Sequence, residues 1–89
     1  MAQWTEYHVK TLDQYGDAID SCIWDTLREG REDYASTVAL YAGMECETKA
    51  VVLEKATHYD TPGRESKFAV LATAGDPDAI RRWTTGEEN

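Results

Sequence analysis

Cysteine, proline, basic residues and long apolar runs are all scarce in this chain. Its 89 residues include two cysteines and two prolines. Two cysteines are too few for the disulfide framework of a small secreted domain, and the apolar runs are far shorter than a membrane span. The opening residues, MAQWTEYHVK, contain no apolar signal region. We therefore expect a cytoplasmic protein whose thiols are reduced.

Positive charge is also in deficit. Nine lysines and arginines stand against 17 aspartates and glutamates, which gives a formal net charge of −8 and a pI of about 4.5. Phosphate groups repel such a chain, so the composition argues against direct binding to nucleic acid and to an anionic membrane surface. Basic surfaces of other proteins would instead attract it.

The apolar content is that of an ordinary folded protein. Hydrophobic residues make up 42% of the chain, which is too much for a disordered segment. The length predicts a single domain, which we place at residues 1–83, followed by a flexible acidic tail at residues 84–89. A domain of this size buries roughly 60 to 65% of its unfolded surface, enough for one thin core.

Alternating residues and turn signals predict four strands and two helices. The strands are expected at residues 4–11, 18–24, 49–59 and 67–73. The main helix is expected at 26–42, with Asp25 or Thr26 as its cap, and Thr26 and Glu29 fit a capping box. A short helix follows Asp76, its predicted cap, and is expected to end at residue 83.

The predicted order β-β-α-β-β-α is typical of an α+β two-layer sandwich. With the strands in the order 2-1-3-4, all four are antiparallel and the main helix covers one face of the sheet. Gly30, on the apolar stripe of that helix, would let it lie close to the sheet. Alternation favours Trp4, Cys22 and Trp24 on the second face. The C-terminal helix either covers part of that face or leaves it open as a partner or dimer surface.

Motifs for catalysis or ligand binding are also lacking. The sequence has no G-x-S-x-G nucleophile elbow, no G-x-G-x-x-G and no phosphate-binding loop. The aspartates around the first turn do not follow the calcium-loop pattern. The thiols and imidazoles stand apart from one another, without the close pairs typical of zinc sites; they are Cys22, Cys46, His8 and His58. We predict a non-enzymatic protein with no catalytic residues, no metal site and no cofactor.

The acidic stretch 17–33, DAIDSCIWDTLREGRED, is the main candidate for function. It holds six acids against two arginines. A solvated turn and a solvated helix face are the simplest interpretation, and a recognition surface for a basic partner is the alternative. Tyr15 either packs back over the first hairpin or is an exposed anchor of the kind that interfaces favour. The predicted partner-binding residues are Tyr15, Asp17, Asp20, Glu29, Glu32 and Asp33.

In size and charge the chain resembles the small acidic proteins with which phages block host defences, including anti-CRISPR proteins and DNA mimics. The resemblance is one of composition and assigns no functional residues. It implies an inhibitor in the host cytoplasm that docks on a basic, nucleic-acid-binding surface of a partner protein. The alternative is a structural or assembly subunit that forms a homodimer through the open sheet face. A pocket for a small ligand between the sheet and the C-terminal helix is a third hypothesis.

Overall fold

The computed structural model of the protein describes residues 3–41 and 47–85. Its elements are β1 Gln3–Leu12, β2 Ala18–Trp24, α1 Leu27–Tyr41, β3 Ala50–Tyr59, β4 Lys67–Gly75 and α2 Pro77–Thr85. The strands form one sheet in the order β2-β1-β3-β4, and all neighbours are antiparallel. The predicted α+β fold and strand order are confirmed. Neither helix in the described ranges is long and apolar enough to span a membrane.

The ends of the elements lie within two residues of their predicted positions. β4 continues to Gly75 because its last residues still pair with β3. α2 includes Thr84 and Thr85, which the prediction assigned to the tail. The predicted last residue of the main helix, residue 42, and the remainder of the tail, residues 86–89, lie outside the described residues.

α1 begins at the predicted capping box and lies close to the sheet. The Glu29 backbone N–H donates to Thr26 Oγ1 at 3.2 Å, and Thr26 Oγ1 donates to Glu29 Oε1 at 2.8 Å. Gly30 is buried, and a Cβ built on it would lie only 2.9 Å from Tyr7 Cβ. The glycine therefore permits the close approach that the sequence predicted. The core beneath the helix consists of Val9, Val51 and Leu53, with Tyr34 and Val38 packed on it.

α2 covers one end of the sheet face opposite α1. Of the two alternatives that the sequence left open for this helix, the first is therefore correct. Asp76 caps this helix by accepting a hydrogen bond from the Asp78 N–H at 3.0 Å. The turn between β1 and β2 also contacts α2, where Arg82 Nη1 donates to the carbonyl oxygen of Gln14 at 2.7 Å. The buried residues at this end are Leu12, Ala50, Val52 and Ala79, with Ile80 and Trp83 packed against them.

The prediction that Trp4, Cys22 and Trp24 share one face is wrong. Val9 of the α1-covered face pairs directly with Cys22, and directly opposed residues lie on the same side of a sheet. Cys22, and Trp24 two residues later, therefore lie on the α1 side. Trp4 instead stacks on His58 on the opposite face. Alternation shows which residues of one strand belong together, but only the register matches one strand to the next.

Candidate functional site

Five of the six predicted partner-binding residues lie along the β2 edge of the molecule; Glu32, two positions after the sheet-facing Gly30, lies on the outer face of α1. β2 is an outer strand of the sheet, and outer strands present unpaired backbone groups. Asp20 pairs with Thr11 and so lies on the α1 side of β2. Asp20 and Asp33 line one shallow cavity between the strand and the helix. Glu29 lies one helical turn before Asp33, on the same side of α1.

Tyr15 and Asp17 lie at the far end of this edge, in the turn between β1 and β2. Asp13 Oδ1 accepts hydrogen bonds from the backbone N–H groups of Tyr15 at 2.9 Å and Asp17 at 3.0 Å, and these bonds stabilise the turn. The Tyr15 side chain is 57% exposed. The seven residues of β2 span about 23 Å, so the predicted residues form a long stripe and not a compact patch.

Asp33 has a structural role as well as a place on the edge. Its Oδ2 accepts a hydrogen bond from Trp24 Nε1 at 2.8 Å, and its Oδ1 accepts one from Thr37 Oγ1 at 3.3 Å. The bond from Trp24 connects α1 to β2, and the bond from Thr37 lies within α1. Glu29 is engaged in the capping box, whereas Glu32 keeps 69% of its side-chain surface exposed. Glu32 Oε1 lies 3.4 Å from Arg28 Nε one helical turn away, in an exposed ion pair.

Cys22 is an exposed free thiol that lines the same cavity as Asp20 and Asp33. Burial raises the pKa of this thiol, and the charges of Asp33 and Asp20 raise it further. The thiolate is the reactive form of cysteine, so these surroundings disfavour a nucleophilic role. Cys46 lies outside the described residues.

A second group of polar side chains lies on the open face beyond α2. Glu6 and His8 are two residues apart on β1 and so point to the same side. His58 of β3 is opposed to Trp4 on that side. Glu6 Oε1 lies 2.6 Å from His58 Nε2 and 3.4 Å from His8 Nε2. We refer to Glu6, His8 and His58 as the Glu–His cluster.

Aromatic rings and one hydroxyl surround the Glu–His cluster. Trp4 stacks on His58, with the ring centroids 5.4 Å apart. Phe68 presents its edge to both imidazoles, at centroid distances of 5.9 Å from His8 and 6.3 Å from His58. Ser66 Oγ lies 2.7 Å from His58 Nδ1. These contacts restrict the rotation of both imidazole rings.

The carboxyl of Glu6 is the electrostatic centre of the cluster. Burial acts to raise the pKa of Glu6, but hydrogen bonds with His8 and His58, together with the positive charge of the imidazoles when protonated, outweigh it and lower the pKa. Glu6 is therefore ionised at neutral pH. An ionised carboxylate and two imidazoles can share protons or bind a cation.

A buried ion pair adjoins the cluster on the side toward α2. Lys10 Nζ lies 2.7 Å from Glu54 Oε1, and the two side chains are 16% and 6% exposed. Glu54 Oε1 makes no well-aligned hydrogen bond within the described residues. The Lys10 ammonium therefore offsets the negative charge of Glu54 mainly by electrostatic attraction. The Lys10 ammonium also lies over the rings of Trp83, at 4.7 Å, and Phe68, at 5.3 Å.

Sequence reasoning missed the Glu–His cluster because its members are far apart along the chain. Glu6 and His58 are separated by 52 positions. The only local signal is an acid and a histidine two residues apart on a predicted strand, and that pair occurs often without function. The register of β1 and β3 places His58 beside Glu6 and His8, which share β1.

Comparisons of the chain with protein-family models, with curated proteins and with solved structures found no match. The β2 edge and the Glu–His cluster are therefore interpreted from the chemistry of this chain alone.

Proposed function

We propose that the protein is a non-enzymatic interaction module that binds a basic surface of a partner protein through its β2 edge. One observation carries the proposal. Residues 13–33 hold seven carboxylates against two arginines, a formal net charge of −5 out of −8 for the whole chain. All seven acids are exposed or half-buried. Such a concentration of one charge accelerates association with an oppositely charged surface.

β2 also offers apolar contact area, with Ile23 on the open sheet face, opposite the side that carries Asp20. Ile19 and Ile23 of β2 are 42% and 56% exposed. Interfaces combine a desolvated apolar centre with a polar rim, and an outer strand can pair its backbone with an extended segment of a partner. The acids would then guide the encounter, while the isoleucines and the strand backbone would stabilise the complex.

Surfaces that bind nucleic acid are the expected class of partner. They are rich in lysine and arginine because they neutralise phosphate groups. Carboxylates held on a strand and a helix can occupy such a surface in place of phosphates. The protein would therefore inhibit its partner by competing with nucleic acid, and it would not bind nucleic acid itself.

Two charge-reversal variants with equal net charge test the edge. The edge variant carries Asp17→Lys and Asp20→Lys, at exposed positions. The control variant carries Glu65→Lys and Asp78→Lys, at exposed positions in the β3–β4 turn and on α2. Each variant changes the formal charge from −8 to −4. Exposed substitutions usually change stability by no more than about 0.5 kcal/mol, and circular dichroism checks that both variants fold.

The probe is a synthetic arginine-rich peptide, whose association is followed by stopped-flow fluorescence at two salt concentrations. We expect the edge variant to associate at least about ten-fold more slowly than wild type at low salt. The association rate of the control variant should fall much less. The difference should shrink at 1 M salt, where the Debye length is about 3 Å. Equal losses in the two variants would mean that only net charge matters, and the proposed edge would be abandoned.

A homodimer through the open sheet face is the second candidate. Four large apolar side chains share that face and are 42 to 56% exposed; they are Trp4, Ile23, Phe68 and Val70. Because Lys10 and Glu54 neutralise each other there, two copies could meet on this face with little of the repulsion that a −8 chain otherwise imposes. Sedimentation should then give twice the monomer mass, and Phe68→Lys should restore the monomer. A wild-type monomer at high concentration would exclude this candidate.

A further inference from the structure

We propose that the Glu–His cluster binds one divalent transition-metal ion, with zinc as the expected occupant. The proposal does not depend on the function of the β2 edge. Two imidazole nitrogens and one carboxylate oxygen form a ligand set that zinc accepts, with an open fourth position. The same set suits other first-row divalent metals. Both histidines of the chain lie in this cluster.

The positions of the ligand atoms fit a single ion. One ligand atom from each of the three residues lies within 4.8 Å of the other two. In a tetrahedral zinc site with bonds of about 2.1 Å, two ligand atoms lie about 3.4 Å apart. The 3.4 Å distance from Glu6 Oε1 to His8 Nε2 matches that spacing. The 2.6 Å distance to His58 Nε2 is a hydrogen-bond distance, and it must lengthen by about 0.8 Å when both atoms bind one ion. Small side-chain rotations would bring all three atoms onto one ion.

The cluster is held on a rigid support. Its ligands come from β1 and β3, the two central strands of the sheet, so their backbones cannot move apart without breaking the ladder. Ser66 Oγ lies 2.7 Å from His58 Nδ1. When His58 Nδ1–H donates to this hydroxyl, the lone pair of Nε2 is free to bind the metal. Hydrogen bonds of this kind orient the histidine ligands of metal sites.

The surroundings leave room for a fourth ligand. The side chains of His58 and Glu6 are 21% and 27% exposed, and that of His8 is 11% exposed, so water can reach the cluster from the side of Glu6 and His58. The alternative interpretation is a metal-free cluster in which the imidazoles only donate hydrogen bonds to Glu6. That arrangement would have no measurable preference for zinc, which makes the two interpretations distinguishable.

The first experiment is a calorimetric titration of the tag-free, chelator-treated chain with Zn²⁺. We expect one zinc per chain and a Kd of about 10 µM or tighter, weaker than four-ligand structural sites. Glu6→Gln and His58→Gln should each weaken binding by at least about 100-fold, and Ser66→Ala by about 10-fold, as is usual for a residue that orients a ligand. Glu47→Gln, at an exposed position before β3 and far along that strand from His58, is the matched control and should bind like wild type.

The second experiment locates the ion in the wild-type chain, so that it does not depend on the folding of any variant. Long-range proton–nitrogen correlation spectra should show that zinc shifts the Nε2 resonances of both imidazoles. Three results would overturn the proposal. They are a Kd weaker than about 1 mM; equal zinc affinity in Glu6→Gln and Glu47→Gln; and spectra in which zinc leaves the resonances of both imidazoles unchanged.

Discussion

Replacing Gly30 by alanine is expected to destabilise the protein, although the same change at an exposed helical position would stabilise it. Gly30 is the buried residue of α1. Alanine is a better helix former than glycine by about 1 kcal/mol. If helix propensity were the only effect, Gly30→Ala would therefore raise the free energy of unfolding by about that amount.

The contact with β1 reverses this expectation. The added Cβ would lie 2.9 Å from Tyr7 Cβ and 3.4 Å from Leu53 Cδ1, whereas carbon atoms in favourable contact are about 3.5 to 4.0 Å apart. Leu53 Cδ1 can move by rotation of its side chain. Tyr7 Cβ is bonded directly to the backbone of a central strand, so the helix or the strand itself must shift. Overpacking of this kind costs about 1 to 3 kcal/mol, which leaves a net loss of about 1 kcal/mol.

Urea unfolding followed by tryptophan fluorescence measures the change in the free energy of unfolding. In a thermal unfolding experiment, a loss of about 1 kcal/mol should lower the melting temperature by roughly 4 to 8 °C in a domain of this size. Ala35→Gly, at an exposed position of the same helix, is the control and should cost about 1 kcal/mol by propensity alone. If Gly30→Ala raised the free energy of unfolding, the close approach of α1 to β1 would be refuted.

Three further predictions concern single side chains. The pH at which Cys22 becomes reactive toward iodoacetamide should lie above that of a simple thiol, since the pKa of Cys22 is raised. Asp20→Asn should lower this pH, and an unchanged dependence of the reaction rate on pH would contradict the role of the Asp20 carboxylate. Lys10→Met should cost about 3 kcal/mol in urea unfolding because it leaves the Glu54 carboxylate buried without its partner, and adding Glu54→Met should recover much of that loss. Thr26→Ala should cost about 1 kcal/mol through loss of the helix cap, while Thr26→Ser should be nearly neutral.

The sequence alone determined the features that depend on short stretches of chain. The capping box at Thr26 and Glu29, the cap at Asp76 and the place of Gly30 on the buried stripe were all predicted correctly. Caps and apolar periodicity are local, because each involves residues only a few positions apart. The strand order also followed, since two hairpins joined by one helix favour a single antiparallel arrangement.

Only the tertiary structure decided which residues of different strands meet. The register of β1 and β2 placed Cys22 and Trp24 beside α1 and left Trp4 on the open face. The register of β1 and β3 brought His58 to within 2.6 Å of Glu6 across 52 positions of sequence. A strand's alternation shows which of its own residues share a face, but a shift of one residue between strands reassigns every cross-strand neighbour. The Glu–His cluster therefore exists only once the sheet has formed.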